Sequence, residues 1–197
     1  MPRKPRPLLD QGYYHLIARG NNHLFLFDIS RGFETFKLLL QKSKSRFPWR
    51  LSHYCLMANH IHLLGQIEQG KYLPKLMQYL LFEYSRWYRT QTGYTGHLWQ
   101  GRYKSPLIDK ESYFLECGRY IERNPLRAQL VSQPEDYRWS SYRYYAFGKT
   151  DPLVDEDPYY QDLGVEPAHR QKNYREFVKL SGPYDQVVDQ ELLKAYY

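Results

Sequence analysis

Residues 49–67 read WRLSHYCLMANHIHLLGQI. Two apolar runs flank Ala58-Asn59, a connection short enough to join an antiparallel hairpin, so 49–57 and 60–67 are predicted strands. Side chains alternate between faces along a strand. Ile61, Leu63 and Ile67 therefore face a core, and His60 and His62 together face the other way. Two neutral imidazoles two residues apart on one face can chelate a divalent cation. A bare His-x-His is also common by chance, and two ordinary surface histidines is the plainer alternative.

Upstream, residues 13–19 read as a strand that Gly20-Asn21-Asn22 ends as a turn. Residues 30–46 read as a helix, with Ser30 as N-cap, Phe33, Phe36, Leu39 and Leu40 at helical spacing, and Pro48 behind it. Downstream, Leu73, Leu76, Met77, Leu80, Leu81, Tyr84 and Trp87 mark the buried stripe of a helix over 72–90. Residues 97–108 form a fourth extended segment. A further helix spans 111–123, entered after Asp109. Pro125 is expected to interrupt it and open a short second helix, with Asn124 as its N-cap. A last helix falls near 169–180. Strand, helix, strand, strand, helix, strand is the order of an α+β, ferredoxin-like (split βαβ) antiparallel sheet. Two helices cover one face, the histidine face is left open, and extra helices follow toward the C-terminus.

The formal net charge of +7 favours anionic partners, nucleic acid first. The excess lies in the first three quarters, because residues 150–168 hold six acids and no Lys or Arg. Three parts are expected: a basic, Pro-rich arm over 1–11, a domain over 12–148, and an acidic extension over 149–197. The acidic stretch reads as a solvated linker or cover; the alternative is that it competes with DNA for a basic groove. The 21 tyrosines suit either a polar, groove-like surface or a tyrosine-rich core. Cys55 and Cys117 lack metal-ligand spacing and read as reduced core thiols of a cytoplasmic protein. No apolar run resembles a signal peptide or a membrane span.

A second constellation is Tyr120-Ile121-Glu122-Arg123-Asn124-Pro125. Tyr120 and Asn124 are one helical turn apart, about 6 Å along the axis, on one face. The Asn124 amide oxygen could be a third metal ligand. Glu116, one turn earlier, could take the tyrosine proton or be a solvated surface glutamate. Tyr120 itself could simply be a packing residue.

These residues together resemble the REP-associated tyrosine transposases, relatives of the single-tyrosine transposases within the HUH endonuclease group, which is named for two histidines around an apolar residue. The resemblance spans about 12–147. It is carried by Met57-Ala58-Asn59-His60-Ile61-His62-Leu63-Leu64, by Ala18-Arg19-Gly20-Asn21-Asn22, by Gly96-His97-Leu98-Trp99-Gln100-Gly101-Arg102-Tyr103-Lys104-Ser105, and by Tyr120-Ile121-Glu122-Arg123-Asn124-Pro125-Leu126-Arg127-Ala128. It implies that His60 and His62 hold a divalent metal, Mg²⁺ or Mn²⁺, with Zn²⁺ also admissible, and that Tyr120 is the nucleophile. The third-ligand position falls on Asn124, where some relatives carry the longer glutamine. It implies a bacterial, cytoplasmic, nucleoid-associated enzyme, a monomer with a dimer as the alternative.

The reaction so implied is transesterification on single-stranded DNA that carries hairpins, through a 5′-phosphotyrosine, with no need for ATP. An ordinary tyrosine, with a pKa near 10, is ionised in roughly one molecule in a thousand at neutral pH, so the phosphate must be activated instead. Arg3, Lys4 and Arg6 of the arm, with Arg19, Asn21, Asn22, Arg86, Arg89, Arg102 and Lys104, are candidate contacts to the strand. Trp99 and Tyr103 are candidates to stack on its bases. Two other functions fit the same residues: a non-catalytic nucleic-acid-binding module on this fold, and a metal hydrolase that uses water.

Overall fold

A computed structural model describes residues 7–108, 111–182 and 185–186. The arm residues Arg3, Lys4 and Arg6, and Asp109, lie outside them. The hairpin forms at the predicted residues: β2 is Trp49–Met57 and β3 is His60–Ile67. With β1, Gly12–Arg19, they make an antiparallel sheet in the order β1-β3-β2. The fourth extended segment runs outside β1 through isolated bridges, Gly20 with Trp99, Ile17 with Lys104 and Tyr14 with Leu107. Gly101, at φ +62, and Pro106, which has no N–H to give, keep those bridges from joining into a ladder. The strand sequence is nonetheless that of the split βαβ arrangement.

Helices α1, Gly32–Lys44, and α2, Leu73–Thr92, cover one face. Ile61, Leu63 and Ile67 pack there with Phe36, Leu40, Leu76 and Leu80, as the alternation of β3 predicts. Ser30 does not cap α1. The chain closes a turn from the Gly32 N–H to the Ile29 carbonyl, and Arg31, at φ +65, precedes the helix.

The histidine face is not open. Helix α3, Glu111–Arg127, lies on it, and Phe114, Cys117, Tyr120 and Ile121 pack against Ile17, Cys55 and Leu64. Both cysteines are free and buried. Pro125 does not interrupt α3. A proline at that position removes the N–H that would reach the Ile121 carbonyl. Asn124 takes its place: its Nδ2 donates to the Tyr120 carbonyl at 2.8 Å and lies 3.4 Å from that of Ile121. Asn124 is thus a helix-interior donor, not an N-cap.

Strand β2 carries a bulge between Leu51 and His53. The extra residue lets Leu51 and Tyr54, three apart, both face the α1/α2 core, while His53 and Cys55 turn toward α3. The outer edge of β2 is covered by later chain. Leu56 N–H donates to the Trp139 carbonyl, Ser141 N–H to that of Tyr54, and Asp155 N–H to that of Leu51. Such cover protects an edge from pairing with another chain. The acidic stretch is part of it. Asp151 accepts from the Tyr54 hydroxyl at 2.6 Å, Asp155 pairs with Lys44 at 2.7 Å, and Asp157 meets His53 at 2.8 Å. These three carboxylates are engaged by the fold. Two later helices, α4 at Tyr142–Phe147 and α5 at Pro167–Lys179, enclose a small core of Tyr142, Tyr145, Tyr160 and Tyr174. Many tyrosines are therefore core residues. Among the described residues no helix is long and apolar enough to cross a membrane.

Candidate active site

His60 and His62 project from β3 toward α3, their ring centroids 4.9 Å apart. His60 is half-buried and His62 fully buried. The Nδ1 of His60 lies 2.7 Å from the Asn59 side-chain oxygen, an acceptor, so Nδ1 carries the proton and Nε2 keeps its lone pair. The Nδ1 of His62 lies 2.9 Å from Nε2 of His15, also buried. The Nε2 of His62 is buried and has no hydrogen-bond partner among the described residues. Burial pushes the pKa of His60 down to about 4, with the charge of Arg19 adding to it, and that of His15 to about 3. Burial also drives His62 well below its usual value, helped by His60, His15 and Arg127. All three imidazoles are neutral at pH 7, the state in which a histidine can ligate a metal.

Helix α3 sets Tyr120 above them. Its ring lies 5.8 Å from that of His62 and 6.1 Å from that of His15. Tyr120 is 1% exposed, yet it borders a cavity of about 280 Å³ that Arg19, Met57, His60, Asn124 and Arg127 also line. Because the Asn124 Nδ2 is turned into the helix backbone, its Oδ1 is left over, and it accepts no hydrogen bond among the described residues. No three His, Cys, Asp or Glu side chains among the described residues group closely enough to hold a metal by themselves. Two imidazole nitrogens, one carboxamide oxygen and phosphate oxygens from a substrate form a donor set that suits a divalent cation.

The other sequence candidates divide. Arg19 lines the cavity and reaches His23 Nδ1 at 2.9 Å. Asn21 and Asn22 form a single turn that is tied by backbone hydrogen bonds to Leu98 and, through Gly20, to Asn59 beside His60. Lys104 pairs through its backbone with Ile17, a cavity residue, and Arg102 is exposed. Trp99 and Tyr103 pack instead against the α1/α2 core, and the Trp99 indole donates to the Leu81 carbonyl and Ser85 Oγ, both at 2.9 Å. Both residues are half-buried in that packing. Arg86, paired with Glu83, and Arg89, bonded to the Gly96 carbonyl, belong to α2, on the far face of the sheet. Glu116 is not poised as a proton acceptor for Tyr120, since Arg119 holds its carboxylate.

Sequence reasoning missed three features. His15 and Arg127 are beside the site, and Arg127 places its guanidinium 5.2 Å from the Tyr120 ring centroid. His15 is in phase with Ile17 and Arg19 on β1, but its meeting with His62 depends on strand register. The third is a buried network behind the helix. His53 lies between Glu122, at 2.9 Å, and Asp157, at 2.8 Å, and Glu122 also accepts from Ser141 and Tyr174, each at 2.6 Å. Burial opposes a charge on His53, but the hydrogen bonds and charges of the two carboxylates outweigh it and raise its pKa to about 9. Glu122 is two residues past Tyr120, so this network moors the helix that carries the phenol.

The chain is a member of the IS200-like transposase family, whose model matches residues 9–124. Among solved structures, a REP-associated tyrosine transposase bound to a REP hairpin superposes with a TM-score of 0.64 at 16% identity, over 80% of this chain and 93% of that one. This likeness is one of fold. A Deinococcus radiodurans R1 protein assigned to the transposases gives a TM-score of 0.43 at 18% identity, over 62% of this chain and 97% of that one. No curated protein sequence matches significantly.

Proposed function

We propose that this transposase cuts and rejoins single-stranded DNA by transesterification, with Tyr120 as nucleophile, on strands that carry short hairpins. One observation carries the reading: Tyr120, His60 and Asn124 border the same cavity, and the Tyr120 ring lies 5.8 Å from that of His62. The fold shared with a transposase bound to a REP hairpin supports hairpin DNA as the substrate class.

The Nε2 atoms of His60 and His62, with Asn124 Oδ1, would hold Mg²⁺ or Mn²⁺. When bound, such a cation offsets charge on the scissile phosphate and favours in-line attack. The Tyr120 oxygen loses its proton and bonds to phosphorus. The bond from phosphorus to the 3′ oxygen breaks, and that oxygen takes up a proton to leave as a 3′ hydroxyl. The 5′ end is then a phosphotyrosine, which a 3′ hydroxyl can attack to rejoin the strand. Arg19 and Arg127 supply positive charge at the cavity wall, where a phosphate would sit. Because α3 is held by the His53 network, the protein serves its own histidines with its own tyrosine and acts as a monomer; exchange of the helix between two copies is the alternative. Its setting is the bacterial nucleoid.

The test is incubation with Mn²⁺ and a labelled hairpin strand, followed by a denaturing gel. A covalent protein–DNA adduct is expected from the native sequence and none from Tyr120→Phe. Cleavage without adduct would support a water-using hydrolase. Binding without cleavage, unaffected by loss of His60 and His62, would support a non-catalytic module.

A further inference from the structure

Strands β1 and β3 pair so that His15 lies opposite Leu64 and Ile17 opposite His62. His15 and His62 are therefore diagonal neighbours on the α3 side of the sheet, within reach of each other's side chains. Their rings are 5.1 Å apart, and Nε2 of His15 is 2.9 Å from Nδ1 of His62. Two neutral imidazoles in that geometry share one proton, and which ring donates decides what the far nitrogen of His62 can do. If His62 Nδ1 donates, its Nε2 keeps a lone pair. If His15 donates, His62 carries its proton on Nε2, in a buried place where that N–H meets no acceptor among the described residues. Among the described residues Nε2 is unmatched in either arrangement, which is unfavourable for a buried donor and a buried acceptor alike. Only in the first can a cation relieve it.

The Nε2 of His15 is used on His62 and is not free for a cation. His60 receives matching treatment from a different residue, the Asn59 carboxamide. We propose that His15 is a positioning residue that accepts the His62 Nδ1 proton, fixes the ring, and keeps the Nε2 lone pair ready for a divalent cation. The inference rests on the reading of His62 as a metal ligand. Partners of this kind orient ligating histidines in metal sites, and their loss costs roughly 10–100-fold in metal affinity.

The experiment uses the DNA-free protein. Long-range proton–nitrogen NMR of isotope-labelled imidazoles, in the metal-free native sequence, should find His62 protonated on Nδ1. Mn²⁺ titration followed by EPR should show affinity lowered about 10–100-fold in His15→Phe. It should largely persist in His15→Gln, whose side-chain oxygen can accept the same hydrogen bond. A His62 protonated on Nε2 in the native sequence overturns the proposal, and that readout needs no variant to fold. So does His15→Phe binding Mn²⁺ as tightly as the native chain. Native protein with the expected tautomer but no Mn²⁺ affinity overturns the metal reading beneath it, and the positioning role goes with it.

Discussion

The guanidinium of Arg127 lies over the ring of Tyr120, with Cζ 5.2 Å from the ring centroid. A cation there favours negative charge developing on the phenol and on a phosphate drawn to it. Arg127→Ala should slow adduct formation by roughly 100-fold, in the range seen when one charge-stabilising donor is removed from an active site. Hairpin affinity should fall far less. Single-turnover adduct assays beside binding isotherms separate the two, and equal losses in both would reduce Arg127 to an ordinary DNA contact.

At Gly118 the backbone of α3 lies directly against the His53 ring of β2. A Cβ at this position would lie 2.6 Å from Nε2 of His53, and that ring is pinned at both nitrogens. Gly118→Ala should cost about 1–3 kcal/mol, as overpacking in a core does. It should also lift the tyrosine helix and weaken cleavage. Denaturant unfolding reads the first effect and the adduct assay the second.

His53 predicts an alkaline loss of stability. Its folded pKa of about 9 lies above the usual 6.5. Below pH 6.5 folded and unfolded chains both bind the proton, and the network contributes in full. Between pH 6.5 and 9 the unfolded chain has released it while the folded one retains it, so stability falls, by roughly 3 kcal/mol in all. Unfolding curves across that range should show the slope, and His53→Gln should flatten it.

Removal of residues 150–197 should damage the fold instead of strengthening DNA binding. The cut takes Asp157 from His53 and Tyr174 from Glu122, and breaking a buried charged pair costs roughly 3–5 kcal/mol. It also uncovers β2 at Leu51. A lower Tm and association by light scattering are expected. A truncated chain that stays folded and binds the hairpin more tightly would revive competition by the acidic stretch.

The hairpin and its histidine pair were legible because alternation at period two is local. Ile61, Leu63 and Ile67 could face the helices only if His60 and His62 faced away. Tyr120 and Asn124 were legible for a similar reason, one turn apart on a helix. What covers the histidine face was not, because nothing local says on which side of a sheet a third helix docks. Pro125 pointed to a break that the Asn124 side chain repairs, a contact no propensity contains. Trp99 carried the composition of a stacking residue, but its indole found two acceptors on α2. His15 needed the register of β1 against β3, and Asp157 a contact with His53 across 104 positions of chain. Patterns within one element survive folding; partnerships between distant ones have to be observed.

The bulge in β2 has a consequence for anyone recombining this fold. From Trp49 to Leu51 the strand is read in one frame and from His53 onward in the other, and Ser52 is the step between them. Deleting that one residue would merge the two frames without exchanging a face: His53 would still pair with Leu64 and turn toward α3, and Leu51 and Tyr54, then two apart, would still share a side. The loss would be the Ser52 carbonyl that accepts from the Tyr145 hydroxyl at 2.9 Å. The strand can thus shorten by one at this step and keep its pattern, whereas the same cut at Cys55 would invert every residue on one side of it.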